Sequence, residues 1–122
     1  MYQIEVAHQF AAAHAVTIRG EQETVHGHDW LVTVILGTDA LDEDGLALDF
    51  LDLRARLRRV LDPFAQRHLN ETPPFDGINP TAELLAKHVA DQLAPDLPER
   101  VRIDAVRVRE APHCVAVYHP PA

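Results

Sequence analysis

The sequence predicts an α+β domain, and three patterns predict it. Apolar residues alternate over residues 2–10, and a β-branched run follows the second of two close histidines. Two later segments carry apolar residues at helical spacing, and two more strand-like runs end the chain. Strand, strand, helix, helix, strand, strand is the order of an antiparallel four-stranded sheet with both helices on one face. With 122 residues and 47% hydrophobic content the chain can build one core but not two, so residues 1–122 read as a single domain.

Taken in order, Tyr2, Ile4, Val6, His8 and Phe10 share one phase of a first strand, which puts His8 on the core side or at a subunit contact. Residues 15–25 read as a mobile loop. Leu31 to Leu36 is rich in β-branched residues and reads as the second strand, ending near Gly37. Asp39 to Gly45 is an acidic, turn-rich connection without the ligand order of a calcium loop. Asp49 then caps a first helix with Phe50, Leu53, Leu57, Val60 and Leu61 as its buried stripe, and Pro63 stops it. Residues 64–79 read as irregular. Asn79 is the expected cap of the second helix, Pro80 its first residue, and Leu85, Val89 and Leu93 belong to its stripe. His88 is expected at that helix's surface. The last strands are Val101 to Arg109 and Cys114 to His119.

Composition excludes several classes. A net charge of −8, with Lys87 the single lysine, does not make a nucleic-acid surface. No apolar run approaches the roughly 20 residues of a membrane span, and the first residues lack the pattern of a secretory signal. One cysteine, Cys114, permits no internal disulfide and fits a reducing, cytoplasmic setting. Its apolar neighbours suggest a buried, inert thiol.

The chemistry is expected at Val25-His26-Gly27-His28-Asp29-Trp30. If His28 opens the second strand, the period of two puts both rings on one face, with Cα atoms roughly 6.5–7 Å apart. Read alone, the pair is equally two polar residues at a strand entrance. His14 closes the first strand after three alanines, and an antiparallel return brings it beside the pair. Three histidines suit a catalytic Zn²⁺ site whose fourth position is left to water or substrate. In the final long strand, Val106, Val108 and Glu110 share a phase, so a carboxylate ends an apolar face and needs matching donors. Arg107 or Arg109 offers such a donor as a salt bridge.

Phe10-Ala11-Ala12-Ala13-His14 followed by His26-Gly27-His28 is similar to the zinc signature of the 6-pyruvoyl- and 6-carboxy-tetrahydropterin synthase family. The resemblance implies the T-fold, assembled through its sheets into a barrel, commonly a hexamer made of two trimers with sites between subunits. It also implies a small-molecule pterin substrate, 7,8-dihydroneopterin triphosphate, and Zn²⁺ on His14, His26 and His28. Glu110 corresponds to the glutamate that anchors the pterin ring. Asn79-Pro80-Thr81-Ala82-Glu83 resembles a stretch near the pterin pocket, which makes Thr81 a candidate substrate contact.

The chain departs from the family at two places. The usual cysteine, four residues before the first histidine of His-Gly-His, is Gln22, whose amide moves no proton. Glu23-x-x-His26-Gly27-His28 resembles a variant branch in which a glutamate takes over, a branch associated with cleaving the substrate's side chain to 6-hydroxymethyl-7,8-dihydropterin. The alternative is an ordinary exposed loop glutamate. The Asp-His relay that a neighbouring subunit supplies falls, aligned on Leu69-Asn70, on Ala65 and Gln66. His68 is the nearest substitute acid or base. Pyruvoyl or carboxy products, a binding protein that has lost catalysis, and a structural metal domain are the other readings.

Overall fold

The computed structural model describes residues 1–122. Its elements are β1 (Tyr2–His14), β2 (Thr17–Ile18), β3 (Glu21–Gln22), β4 (His26–Thr38), α1 (Phe50–Leu61), β5 (Arg67–His68), α2 (Ala82–Leu93), β6 (Val101–Ala111) and β7 (Cys114–Tyr118). The main sheet has the order β5-β1-β4-β6-β7. Its four long strands are antiparallel neighbours. The expected four-stranded sheet therefore gains a fifth member: β5 pairs in parallel with Ala12 and Ala13. A two-residue strand is too short to show alternation, which is why it read as irregular chain.

Register carries one apolar face across the sheet. Val6 lies opposite Val34, Phe10 opposite Trp30, Val34 opposite Val106 and Val32 opposite Val108. All seven are buried, and both helices pack on that face through Leu53, Leu57, Leu61, Leu85, Val89 and Leu93. Burial of this face is the main stabilising contribution, at about 25 cal/mol per Å² of apolar surface.

The helix ends differ from expectation in one respect. Asp49 does cap α1, accepting from the Leu51 N–H at 2.8 Å, although Phe50 points outward and is exposed. In α2 the cap is Thr81, whose Oγ1 accepts from the Leu84 N–H at 3.1 Å. Asn79 and Pro80 precede the helix, their polar groups being used elsewhere. His88 is half-buried, its ring edge-on to Phe64 and Phe75, rather than at the surface. Cys114 opens β7 at the outermost strand and is exposed, not buried. No helix is long and apolar enough to cross a membrane.

The segment between His14 and His26 is a built hairpin instead of a mobile loop. Thr17 pairs with Gln22 and Ile18 with Glu21, leaving Arg19 and Gly20 as a two-residue turn with φ of 52° and 81°. Two consecutive positive φ values are the signature of the type I′ turn that matches strand twist.

Candidate metal centre

The period-two argument places the histidines where the sheet's apolar face runs out. His14 lies opposite His26 and Ala12 opposite His28 in the β1–β4 ladder. His26 and His28 thus continue the phase of Trp30, Val32 and Val34. The three imidazoles are mutually edge-on, with ring centroids 4.8 Å (His14–His26), 5.1 Å (His14–His28) and 4.6 Å (His26–His28) apart. Trp30 closes the inner side, edge-on to His14 at 4.8 Å and to His28 at 5.5 Å.

Glu110 joins them through a bulge. In the β6–β7 ladder Arg109 pairs with Val115 and Ala111 with Cys114, so Glu110 is passed over. Bulges re-aim side chains in this way beside functional sites. Its Oε1 stands 2.9 Å from His14 Nε2 and 3.6 Å from His28 Nε2. Neither Arg107 nor Arg109 pairs with it, and ligand atoms of His14, His26, His28 and Glu110 all lie within 4.8 Å of one another.

Hydrogen bonds fix which nitrogen His14 and His26 present. His14 Nδ1 donates to the Pro80 carbonyl at 2.8 Å, and His26 Nδ1 donates to the Thr24 carbonyl at 2.8 Å. Nε2 of both rings is left as a lone pair facing the cluster, the arrangement by which outer partners orient metal-binding histidines. His14 is fully buried, and Nε2 of His14 and of His28 is buried without a hydrogen-bond partner. A lone pair facing a carboxylate oxygen at 2.9 Å is repulsive unless a proton or a cation lies between them. Burial lowers the pKa of His28, with Glu110 opposing and His14 and His26 reinforcing the shift. Three imidazoles with converging, orphaned nitrogens and one carboxylate fit a divalent cation.

The remaining expected residues lie at graded distances. Glu23 follows β3 and stands at the rim, its Oε1 3.6 Å from His26 Nε2 and 3.0 Å from the Val16 N–H that donates to it. Gln22, in β3, is exposed. The Thr81 hydroxyl is engaged in capping α2. His68 stands apart from the four-residue cluster, on β5 beside Ala13, with Nδ1 3.7 Å from Glu71; its Nε2 is buried and unpartnered. Ala65 and Gln66 precede β5, the Gln66 N–H donating to the Ala11 carbonyl.

Two cavities flank the cluster. One, of about 310 Å³, lies between the start of α2 and β7 and is lined by Glu83, Glu110 and Cys114. The other, of about 560 Å³, is walled by Ala11, Ala13, Gly27, His28 and Arg67. Sequence reading missed Glu83, Arg67 and the Pro80 carbonyl. The small residues of the Ala-Ala-Ala and His-Gly-His runs were the available signal for the second cavity.

Comparison with known proteins decides the family. The family model described as 6-pyruvoyl tetrahydropterin synthase matches residues 3–121. The chain belongs to the 6-pyruvoyl tetrahydropterin synthase family. A protein of Archaeoglobus fulgidus, provisionally named 6-carboxy-5,6,7,8-tetrahydropterin synthase, is 29% identical over 107 residues, covering 88% of this chain and 86% of its own. Among solved structures, the Caenorhabditis elegans 6-pyruvoyl tetrahydropterin synthase superposes with a TM-score of 0.83 at 22% identity, covering 98% of this chain and 96% of that one. The Plasmodium vivax 6-pyruvoyl tetrahydropterin synthase gives 0.76 at 20% identity over the whole of both chains. A variant of the P. vivax protein, with TM-score 0.75 at 19% identity and complete coverage of both, has alanine in place of a glutamate described as a catalytic residue. These likenesses establish the T-fold for the chain. As a member of the synthase family it is a pterin-metabolising enzyme.

Proposed function

We propose that this chain is a Zn²⁺-dependent lyase that cleaves the side chain of 7,8-dihydroneopterin triphosphate to give 6-hydroxymethyl-7,8-dihydropterin. The observation that carries the reading is Glu23 at 3.6 Å from His26, on the sequence side where the family's cysteine is replaced by Gln22. His14, His26 and His28 hold the zinc. Bound there, Zn²⁺ supplies Lewis acidity that lowers the pKa of the substrate's side-chain hydroxyls. Glu23 takes the hydroxyl proton, its carboxylate held in place by the Val16 N–H.

Glu110 binds the ring by accepting from its amino group and ring N–H. The cavity it shares with Glu83 gives that ring edge a second carboxylate. Thr81 adjoins the same region next to Ala82; its N–H and carbonyl are bonded to Asn79 and Leu85, so its contact with the substrate is made by the hydroxyl proton, the oxygen being the α2 cap. Arg67 forms no ion pair and lines the other cavity, which offers the phosphates a cation. His68 acts as acid or base toward the site of a neighbouring copy, in place of the relay lost at Ala65 and Gln66. The homo-oligomer is formed through the sheet edges, closing a barrel, with a hexamer of two trimers as its form. A reducing cytoplasm is its setting.

Incubation with 7,8-dihydroneopterin triphosphate and identification of the product tests the reading. Formation of 6-hydroxymethyl-7,8-dihydropterin by the wild type, lost in Glu23→Ala with zinc retained, is the expected result. A pyruvoyl or carboxy product assigns the chain to the family's other reactions, with the Archaeoglobus relative as support. Ring binding without turnover makes it a pterin-binding protein.

A further inference from the structure

Three consecutive residues after His14 have their backbone polar groups satisfied by side chains or backbone from three different places. Asn70 brackets Ala15: its Oδ1 accepts from the Ala15 N–H at 2.8 Å and its Nδ2 donates to the Ala15 carbonyl at 2.8 Å. Asn79 brackets Thr17 in the same way, with both bonds at 2.9 Å. Between them, Val16 is bracketed by Glu23. The Val16 N–H donates to Glu23 Oε1 at 3.0 Å, and the Glu23 N–H donates to the Val16 carbonyl at 3.0 Å.

An amide side chain that both donates to and accepts from one residue fixes that residue's position and orientation together. A single bond would leave a rotation free. The segment has little else to hold it, since Thr17, Ile18 and residues 19–25 are exposed and the β2–β3 ladder is two pairs long. An isolated hairpin of this length is not stable by itself.

We propose that Asn70 and Asn79 are positioning residues for Glu23: by clamping Ala15 and Thr17 they set Val16, and Val16 sets the carboxylate beside His26. This inference rests on the catalytic role proposed for Glu23. Neither asparagine reaches the cluster, and each acts through backbone atoms 55 and 62 residues away in the chain. A displacement of about 1 Å at a reacting group costs up to about a hundredfold in rate, so loss of one bracket is felt as turnover.

The test is a double-mutant cycle on the full-length zinc-loaded protein, with amide hydrogen exchange measured on each variant. Asn79→Ala is the primary variant because its bracket is at the surface, and Asn70→Ala is the second. With Glu23 present, Asn79→Ala is expected to lower kcat about ten- to a hundredfold, leaving KM and zinc content within twofold. In a Glu23→Ala background the same substitution is expected to change residual kcat less than twofold. The Val16 and Glu23 amides are expected to exchange at least tenfold faster without Asn79. Equal losses of kcat in both backgrounds, or unchanged exchange at those amides, overturns the proposal. If Glu23→Ala retains wild-type turnover, the catalytic role of Glu23 fails and the positioning proposal with it, while the exchange data still show whether the clamp exists.

Discussion

At the scale of single residues, two of the three imidazoles have one task per nitrogen. Pro80 and Thr24 carbonyls take Nδ1 of His14 and His26, so Nε2 is committed to the cluster before any ligand arrives. Since three histidines suffice to hold a zinc ion, Glu110→Gln is expected to retain the metal and to weaken pterin binding at least tenfold, read by metal analysis and fluorescence titration. Loss of metal would instead make Glu110 a fourth ligand. Thr81→Ala is expected to cost about 1 kcal/mol in urea denaturation through loss of the α2 cap, with Thr81→Ser near wild type.

His88 gives the pH dependence a sign. Burial against Phe64 and Phe75 lowers its pKa, partly opposed by Asp91. Between the lowered value and about 6.5 the unfolded chain binds more protons than the folded one, so stability falls as pH falls through that window. The full contribution is present above it. His88→Leu should flatten the acid side of a plot of urea midpoint against pH; an unchanged slope there refutes the assignment. The histidines and Glu110 were legible in the sequence because period two puts them in phase with Trp30, Val32 and Val108. The roles of Asn70, Asn79 and Pro80 were not, because each acts on or through backbone atoms that no spacing rule connects.

At the scale of elements, turns and bulges aim the side chains. The hairpin β2–β3 hid as a loop because its strands are two residues long, yet Arg19-Gly20 carried the signal of a tight turn. The Pro112-His113 connection between β6 and β7 places His113 at φ 72°, a conformation glycine adopts without strain. A second bulge lies upstream in β6, where Ile35 pairs with Ala105 and Leu36 with Ile103. The skipped residue, Asp104, is held by Gln3 Nε2 at 2.8 Å and Arg102 Nε at 2.8 Å. A Cβ added at Gly37 falls on that carboxylate. Gly37→Ala should therefore destabilise by about 1–3 kcal/mol, and by less in an Asp104→Ala background. This bulge restores the phase that carries Val106, Val108 and Glu110 toward the helices, and alternation alone gave no sign of it.

At the scale of the whole molecule, the sheet is open at both sides. β5 covers only Ala12 and Ala13 of β1, and β7 has no outer neighbour, with Val115 and Val117 exposed. Long unprotected edges pair with other chains. Light scattering is expected to show several chains per particle, and a fully active monomer contradicts a site shared between copies. The layered α+β architecture was legible from element order, whereas the open edges follow from register, which the sequence does not print. The centre itself, where His14, His26, His28 and Glu110 meet, is tested most directly by the zinc content of protein purified without chelator. One zinc per chain in the wild type, falling to near zero in His14→Ala and His28→Ala while circular dichroism is unchanged, is the result expected. A metal-free wild type, or zinc retained in both variants, contradicts it.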